Sequence, residues 1–388
     1  SGPLINLQEI IRLNSDEATK SIAAQNGPNN NQIAVARILK AYYFWHMTDR
    51  WGPLPYSQAL AGRENFKPTY DTQEAIYNDL FKELKEASAQ ITAGAIKGDF
   101  LLGGNMNRWK TFANSMRLVM ALRLSEVLPE KAKTEFASAF NDGVISSNDQ
   151  NVVYTFLGDQ NNDNPWEDRF ETRLDFTVSK PMVDLLLSVN DPRLPVFADK
   201  AVLTQQYVGM PYGLEQGPAG AIPNGQVSFL GTALRQQTSP GYVMTYAQMQ
   251  FSLAEGARRG WITGDPATFY NKGIEASFKQ YGVFNQAAYD AYIAQPSVKY
   301  APAKGLEQII TQKWVALFLN GYEAWAEWRR TSFPTLTPPA KTISPSGIIP
   351  LRQGYPTTER DLNGANYNAA LQVFGGKDDL DGRLWWDK

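Results

Sequence analysis

The 388-residue chain contains no cysteine, which excludes disulfides, thiolate nucleophiles and cysteine-ligated zinc or iron–sulfur centres. Histidine is nearly as scarce: His46 is the only one, so a histidine-rich metal site cannot be assembled within one chain. A serine, histidine, aspartate triad would have to be centred on His46. No GxSxG elbow accompanies it, and its aromatic surroundings, AYYFWHMTDRWG, are those of a packed residue. Charge of one sign is also missing. Thirty-seven basic residues face 39 acidic ones, for a net −2, with no run of five like charges. Nucleic acid and anionic membrane surfaces are therefore poor ligands for this chain. No apolar run approaches the roughly 20 residues that cross a bilayer, and there is no charged-then-apolar signal peptide. The chain opens at SGPLINLQEI without methionine and enters a helical pattern almost at once, which leads us to expect a sequence shortened at its N-terminus.

What is present is long enough to bury about three quarters of its unfolded surface. Helical signals dominate and come in pairs. In DTQEAIYNDLFKELKEASAQI, Ile76, Leu80, Leu84 and Ile91 follow helical spacing, and Asp71 with Glu74 has the form of a capping box. QIAVARILKAYYFWHMTDRWG before it reads as a helix ended by Gly52 and Pro53. NRWKTFANSMRLVMALRLSEVL follows, then PEKAKTEFASAF with Pro129 in a first turn. Pairing resumes with TYAQMQFSLAEGARRGW and DPATFYNKGIEASFKQYG, and again in GLEQIITQKWVALFLNGYEAWAEWRR. Units of about 34 residues with small residues at the crossings predict tetratricopeptide-like hairpins stacked into an α-solenoid, although the tetratricopeptide consensus is not matched cleanly. The fold class expected is thus mainly α.

Residues 144–240 differ. They are rich in Gly, Asn, Gln, Pro and Ser, with one helix expected at SKPMVDLLLSV, and are the loop-rich part in which binding residues gather. Residues 333–388 are again rich in proline and glycine. No linker separates two domains, so we expect one domain over 1–388: a helical scaffold at 1–143 and 241–332, a loop-rich binding region at 144–240 and an irregular C-terminal segment at 333–388.

Two groups of carboxylates raise chemical questions. Glu323 and Glu327 lie one helical turn apart, and glycoside hydrolysis uses such pairs. Arg329 and Arg330 can reach back to them, holding both ionised where a general acid needs a raised pKa, so structural ion pairing is expected. Trp314, Leu317, Phe318, Gly321, Tyr322 and Trp325, read on one helix, make an apolar stripe that faces a core. In DQNNDNPWEDRF, Asp159, Asp163, Glu167 and Asp168 offer oxygen donors of the kind calcium takes, as does DDLDG at 378–382. Neither keeps the EF-hand register, and solvated turns are the ordinary reading; no cofactor is assigned, with calcium kept open.

Sugar binding needs aromatic faces to stack on pyranose rings and amide or carboxylate groups at their edges. The loop-rich middle supplies both: Trp166 beside Asn164 and Asp168, and Tyr207, Tyr212 and Phe229 among Gln206, Asn224 and Gln226. Trp166, Tyr207, Tyr212, Phe229, Asn164 and Asp168 are the ligand-binding candidates; no catalytic residue and no metal ligand is assigned. Trp51 and Tyr56 are read as part of a structural turn, and Trp385 and Trp386 as a packed terminus.

LKAYYFWHMTDRWGPLPYSQAL, RWKTFANSMRLVMALRLS, MTYAQMQFSLAEGARRGW, QKWVALFLNGYEAWAEWRRTSFP and the terminal GGKDDLDGRLWWD, in that order over residues 33–387, resemble the SusD/RagB family of bacterial outer-membrane glycan-binding lipoproteins. The resemblance implies four tetratricopeptide-like hairpins supporting a loop-rich half. It also implies a cell-surface lipoprotein, its lipid-bearing cysteine outside this chain, that captures an oligosaccharide and delivers it to a SusC-like TonB-dependent transporter. Members are binders, not enzymes. A peptide-binding member of the same family, an α-helical glycoside hydrolase using a carboxylate pair, and a scaffold that binds protein partners alone are the alternatives.

Overall fold

The structure is a computed structural model that describes residues 2–339 and 341–387. It is mainly helical, and among the described residues its only sheet is a two-stranded one. The chain folds as two compact units, Ser1–Val144 with Ile343–Lys388, and Ile145–Thr342.

The first unit contains α1 (Gly2–Ser15), α2 (Asn29–Trp51), α3 (Gln73–Gln90), α4 (Met106–Arg123) and α5 (Pro129–Asn141). Helix α2 packs on α3 and α4 on α5, giving two hairpins, and α1 lies against α2. Their ends follow from local chemistry. Asn105 caps α4 by accepting hydrogen bonds from the amides of Asn107 and Arg108, Pro129 opens α5 at a position whose N–H has no helical partner, and Gly52 ends α2 at φ 87°. At α3 the cap is displaced by one residue from the expected box. Thr72 accepts from Ala75 N, while the Asp71 carboxylate instead takes the amides of Tyr56 and Ser57 across a turn. Ile76, Leu80 and Leu84 are buried as their spacing predicts. Of the C-terminal tryptophans, Trp385 is partly buried against Tyr77, while Trp386 is fully buried and donates its indole N–H to Asp49, which also accepts from Tyr77 Oη. The carboxylates of residues 378–382 serve turns, with Asp378 paired to Arg352 at 2.7 Å and Asp381 accepting from Ser344 and Ser346. His46 is packed between the rings of Trp45 and Tyr42.

The second unit contains β1 (Val152–Tyr154), α6 (Pro165–Glu171), α7 (Lys180–Ser188), β2 (Gly241–Met244), α8 (Tyr246–Arg258), α9 (Pro266–Gln280), α10 (Gln286–Ala294), α11 (Gly305–Ala316) and α12 (Gly321–Thr331). Helices α8 and α9 form one hairpin and α11 and α12 another, so four hairpins are present, two in each unit. Strands β1 and β2 pair antiparallel, Val152 opposite Met244 and Tyr154 opposite Gly241.

Residues 312–331 depart from the single helix expected for the tryptophan stripe. The chain turns between Ala316 and Gly321, with Leu319 at φ 68°. The inner face of α12 is Glu323, Ala324, Ala326, Glu327, Arg329 and Arg330, while Tyr322 is exposed and Trp325 half-buried under Arg329. Glu327 and Arg330 lie inside because each finds an opposite charge there, and the Glu323 carboxylate accepts from the Gln248 amide.

The loop-rich stretch is held by a core of its own. Val178, Met182, Val183, Leu186, Leu194, Phe197 and Ala198 cluster with Val315 of α11, and Tyr207 packs at the edge. Isolated bridges, Thr177 with Phe229, Ser179 with Met210 and Ala198 with Leu230, tie the loops together. Gly231 marks a close approach of two backbones, since a Cβ there would lie 2.0 Å from the carbonyl oxygen of Val196. Gly231→Ala is expected to cost about 1–3 kcal/mol, because only the backbone can give way; a urea midpoint equal to that of the parent chain would count against this close packing.

Candidate functional site

The segment NDNPWEDRFE, expected as a loop, forms α6. Asn164 sits at its N-cap and accepts from Trp166 N at 2.9 Å, Pro165 occupies the first turn, and Glu167 and Asp168 follow. Four-residue spacing brings Trp166 and Phe170 onto one side of the helix, and Glu167 and Glu171 beside them. Asn164 also donates its amide to Ser239 O at 2.8 Å, while its backbone N–H reaches Gln237 O at 2.9 Å. At 3 % exposure, Asn164 fastens α6 to the 234–239 loop and presents no edge to a ligand.

Between α6 and that loop lies a cavity of about 420 Å³ lined by Glu167, Phe170, Glu171, Arg235, Gln236, Gln237 and Thr238. Its apolar wall is the Phe170 ring, which has the Arg235 guanidinium over it at 4.3 Å and Phe229 edge-on at 6.3 Å. Arg235 is itself held at 3.0 Å by Asp199. Trp166 meets Phe176 edge-on at 5.4 Å, and Phe176 in turn contacts Phe170, so an aromatic row runs along the helix. Burial, followed by the charges of Glu171 and Asp163, pushes the Glu167 carboxyl above the usual range. The cavity thus offers a ring face, a guanidinium, amides and carboxylates, the set that sugar hydroxyls and pyranose faces engage.

The structure brings together Trp166, Phe229 and Asp168 of the expected set around α6. Phe229 is nonetheless 9 % exposed and acts as backing for Phe170. Tyr207 lies elsewhere, packed against the core of the loops with Lys200 over its ring at 5.7 Å. Tyr212 is exposed and donates its hydroxyl to Thr337 O. Phe170, Arg235 and the Gln236–Gln237 pair escaped the sequence reading. An NPWED start with an aromatic four residues after the tryptophan was the available signal for Phe170.

The other carboxylate pair is sealed. Glu323 and Glu327 are 2 % and 0 % exposed, and Glu327 binds Lys313 at 2.9 Å and Arg330 at 2.6 Å inside the seam of α8, α11 and α12. No substrate reaches them.

Residues 1–356 match the family profile described as SusD-like, "Starch-binding associating with outer membrane". No curated protein matches. Among solved structures, the chain is similar to a chitin-binding protein at 34% identity and a TM-score of 0.87, covering 99% of this chain and 85% of that one. It is similar to a chitin-binding SusD homologue from Flavobacterium johnsoniae at 28% identity and a TM-score of 0.83, covering 96% and 84%. A SusD homologue from Bacteroides fragilis is 26% identical, with a TM-score of 0.86 and coverages of 99% and 88%.

Proposed function

The chain belongs to the SusD-like family, and from that premise we propose that it captures an oligosaccharide in the α6 cavity and delivers it to a SusC-like TonB-dependent transporter at the outer membrane. The observation that carries the proposal is the cavity beside α6, where Phe170 supplies a stacking face and Glu167, Glu171, Arg235, Gln236 and Gln237 supply hydrogen-bonding edges. Trp166 extends that face along the helix, and Asp168 lies on the same helix. Tyr207 and Tyr212 are proposed as secondary contacts for a longer ligand. Two of the similar structures are named as chitin-binding, so oligomers of N-acetylglucosamine are the first ligands to test, with starch oligomers second.

The protein is proposed to be a binder without turnover. The carboxylate pair that suggested hydrolysis, Glu323 and Glu327, is buried, and Glu327 is held in ion pairs by Lys313 and Arg330. No described helix is long and apolar enough to cross a membrane. Attachment to the outer membrane is proposed to be through a lipid.

The test is calorimetric titration of the full chain with chitin oligomers, starch oligomers and short peptides, each mixture being assayed afterwards for cleavage. Saturable binding of an intact sugar is expected. Phe170→Ala and Trp166→Ala should each weaken it about 10- to 100-fold, the equivalent of roughly 1.4–2.7 kcal/mol of lost aromatic burial. Binding of peptides alone, or cleavage of the sugar, would refute the assignment.

A further inference from the structure

We propose that Asp163, Glu167 and Asp168 hold a calcium ion at the start of α6. One carboxylate oxygen from each residue lies within 4.8 Å of the others. Two oxygens bound to one calcium at 2.3–2.6 Å are at most about 5.2 Å apart, so each pair of these oxygens is close enough to share one ion. Proximity alone would describe an ordinary acidic turn, but the burial of this cluster sets it apart. Asp163 is only 6 % exposed, and its Oδ2, although shielded from solvent, accepts no hydrogen bond from any described residue; the same holds for Oε2 of the partly buried Glu167. A buried carboxylate oxygen with no donor is costly. No described lysine or arginine forms an ion pair with any of the three: Arg235 is engaged by Asp199, and Arg169 lies over Phe176. Three negative charges thus converge where the fold provides no cation.

Oxygen donors, carboxylate charge and an irregular loop favour calcium over zinc or copper, which take nitrogen and sulfur ligands. Asp159, the fourth acid of the loop, lies outside the cluster, and its Oδ1 accepts from Asn161 N at 3.1 Å and Asn162 Nδ2 at 2.9 Å. The remaining coordination positions of the ion would face outward past Asp168, which is exposed. Glu167 also lines the sugar cavity, so the ion would stiffen one wall of it. The assignment stands without the glycan reading, and a test with the cation alone separates the two. The rival way to relieve the cluster is a proton shared between Asp163 and Glu167.

Chelator-treated full-length chain is titrated with calcium chloride by calorimetry, and with terbium while indole-sensitised emission from the neighbouring Trp166 is followed. One saturable site is expected. Glu167→Gln and Asp163→Asn should each weaken it at least about tenfold, with near-ultraviolet circular dichroism confirming the fold, while Asp159→Asn leaves it unchanged. Two results would overturn the site: no saturation by about 10 mM calcium, beyond the range of even weak extracellular modules, or unaltered affinity in Glu167→Gln. A third, Asp163→Asn stabilising the chain with no calcium response in the parent, would assign the cluster to a shared proton instead.

Discussion

Replacing Glu327 with alanine is expected to lower the free energy of unfolding by about 3–5 kcal/mol without touching the cavity beside α6. Glu327 joins three helices. Its carboxylate accepts from Lys313 of α11 at 2.9 Å and from Arg330, one turn along α12, at 2.6 Å; Arg330 then makes a bidentate pair with Glu255 of α8 at 2.6 and 2.7 Å. The side chains of all four are no more than 1 % exposed. Burial alone would push the Glu255 carboxyl up, but the charge and hydrogen bonds of Arg330, aided by Arg259, hold it below the usual carboxylate range. Removing Glu327 leaves Lys313 charged, buried and without its carboxylate, and a stranded charge costs more than the pair contributes. Adding Lys313→Met to Glu327→Ala should therefore recover part of the loss, which urea midpoints at constant slope would measure. A loss under about 1 kcal/mol for Glu327→Ala would show that the network does not bear on folding. If instead Glu327→Gln abolished a sugar cleavage while leaving the fold intact, the hydrolase alternative would return.

That network also marks the limit of what the sequence discloses. The hairpins were legible because their signals are local: Pro129 in a first turn, Gly52 at a helix end, and leucines at 80 and 84 on a face fixed by the 3.6-residue period. The same period misassigned α12, since tryptophan and tyrosine were ranked as interior, whereas the buried face is that of the glutamates and arginines whose ion pairing was expected. What reverses the ranking is Glu255, 75 positions upstream of Arg330, and no local pattern reports a partner at that distance. At the candidate site, sequence reasoning named Trp166, Asp168 and Phe229, which the structure places on or beside α6, but put Trp166 on a loop. The N-cap, proline and acidic first turn of α6 are local and could have been read. Phe170 lines a cavity because residues 235–238 face α6, and Asp163 is buried where Asn164 is pinned to Ser239, so neither fact is present in the segment itself.

A second large effect is expected from Asp191, and this one depends on pH. Asp191 and Arg193 form a fully buried pair at 2.6 Å, side chains 1 % and 0 % exposed, just beyond the end of α7. Arg193 also donates to Ser277 of α9 and Gln312 of α11, while Tyr292 of α10 donates to Asp191 at 2.6 Å and accepts from Gln312. One carboxylate thus fastens the edge of the loop-rich segment to three scaffold helices, and Asp191→Ala should cost about 3–5 kcal/mol by stranding Arg193. The acid response follows from the direction of its titration. Burial opposes ionisation of Asp191, but the charge of Arg193, then its hydrogen bonds and that of Tyr292, hold the carboxyl below its ordinary value. Burial and the Asp191 charge push the Tyr292 phenol upward, so it keeps its proton and goes on donating. A carboxyl depressed in the folded state binds its proton more readily in the unfolded chain, whose aspartate titrates near pH 3.9. Its stabilisation is complete above about pH 5 and is lost as pH falls through 4 toward the lower folded value. Urea midpoints between about pH 7 and pH 3 should fall in the parent chain and fall less steeply in Asp191→Asn, which has no charge there to lose; Glu255, depressed in the same sense, keeps the variant's slope from vanishing. Equal slopes in parent and variant would mean that the Asp191 carboxylate is not the group whose protonation loosens this unit.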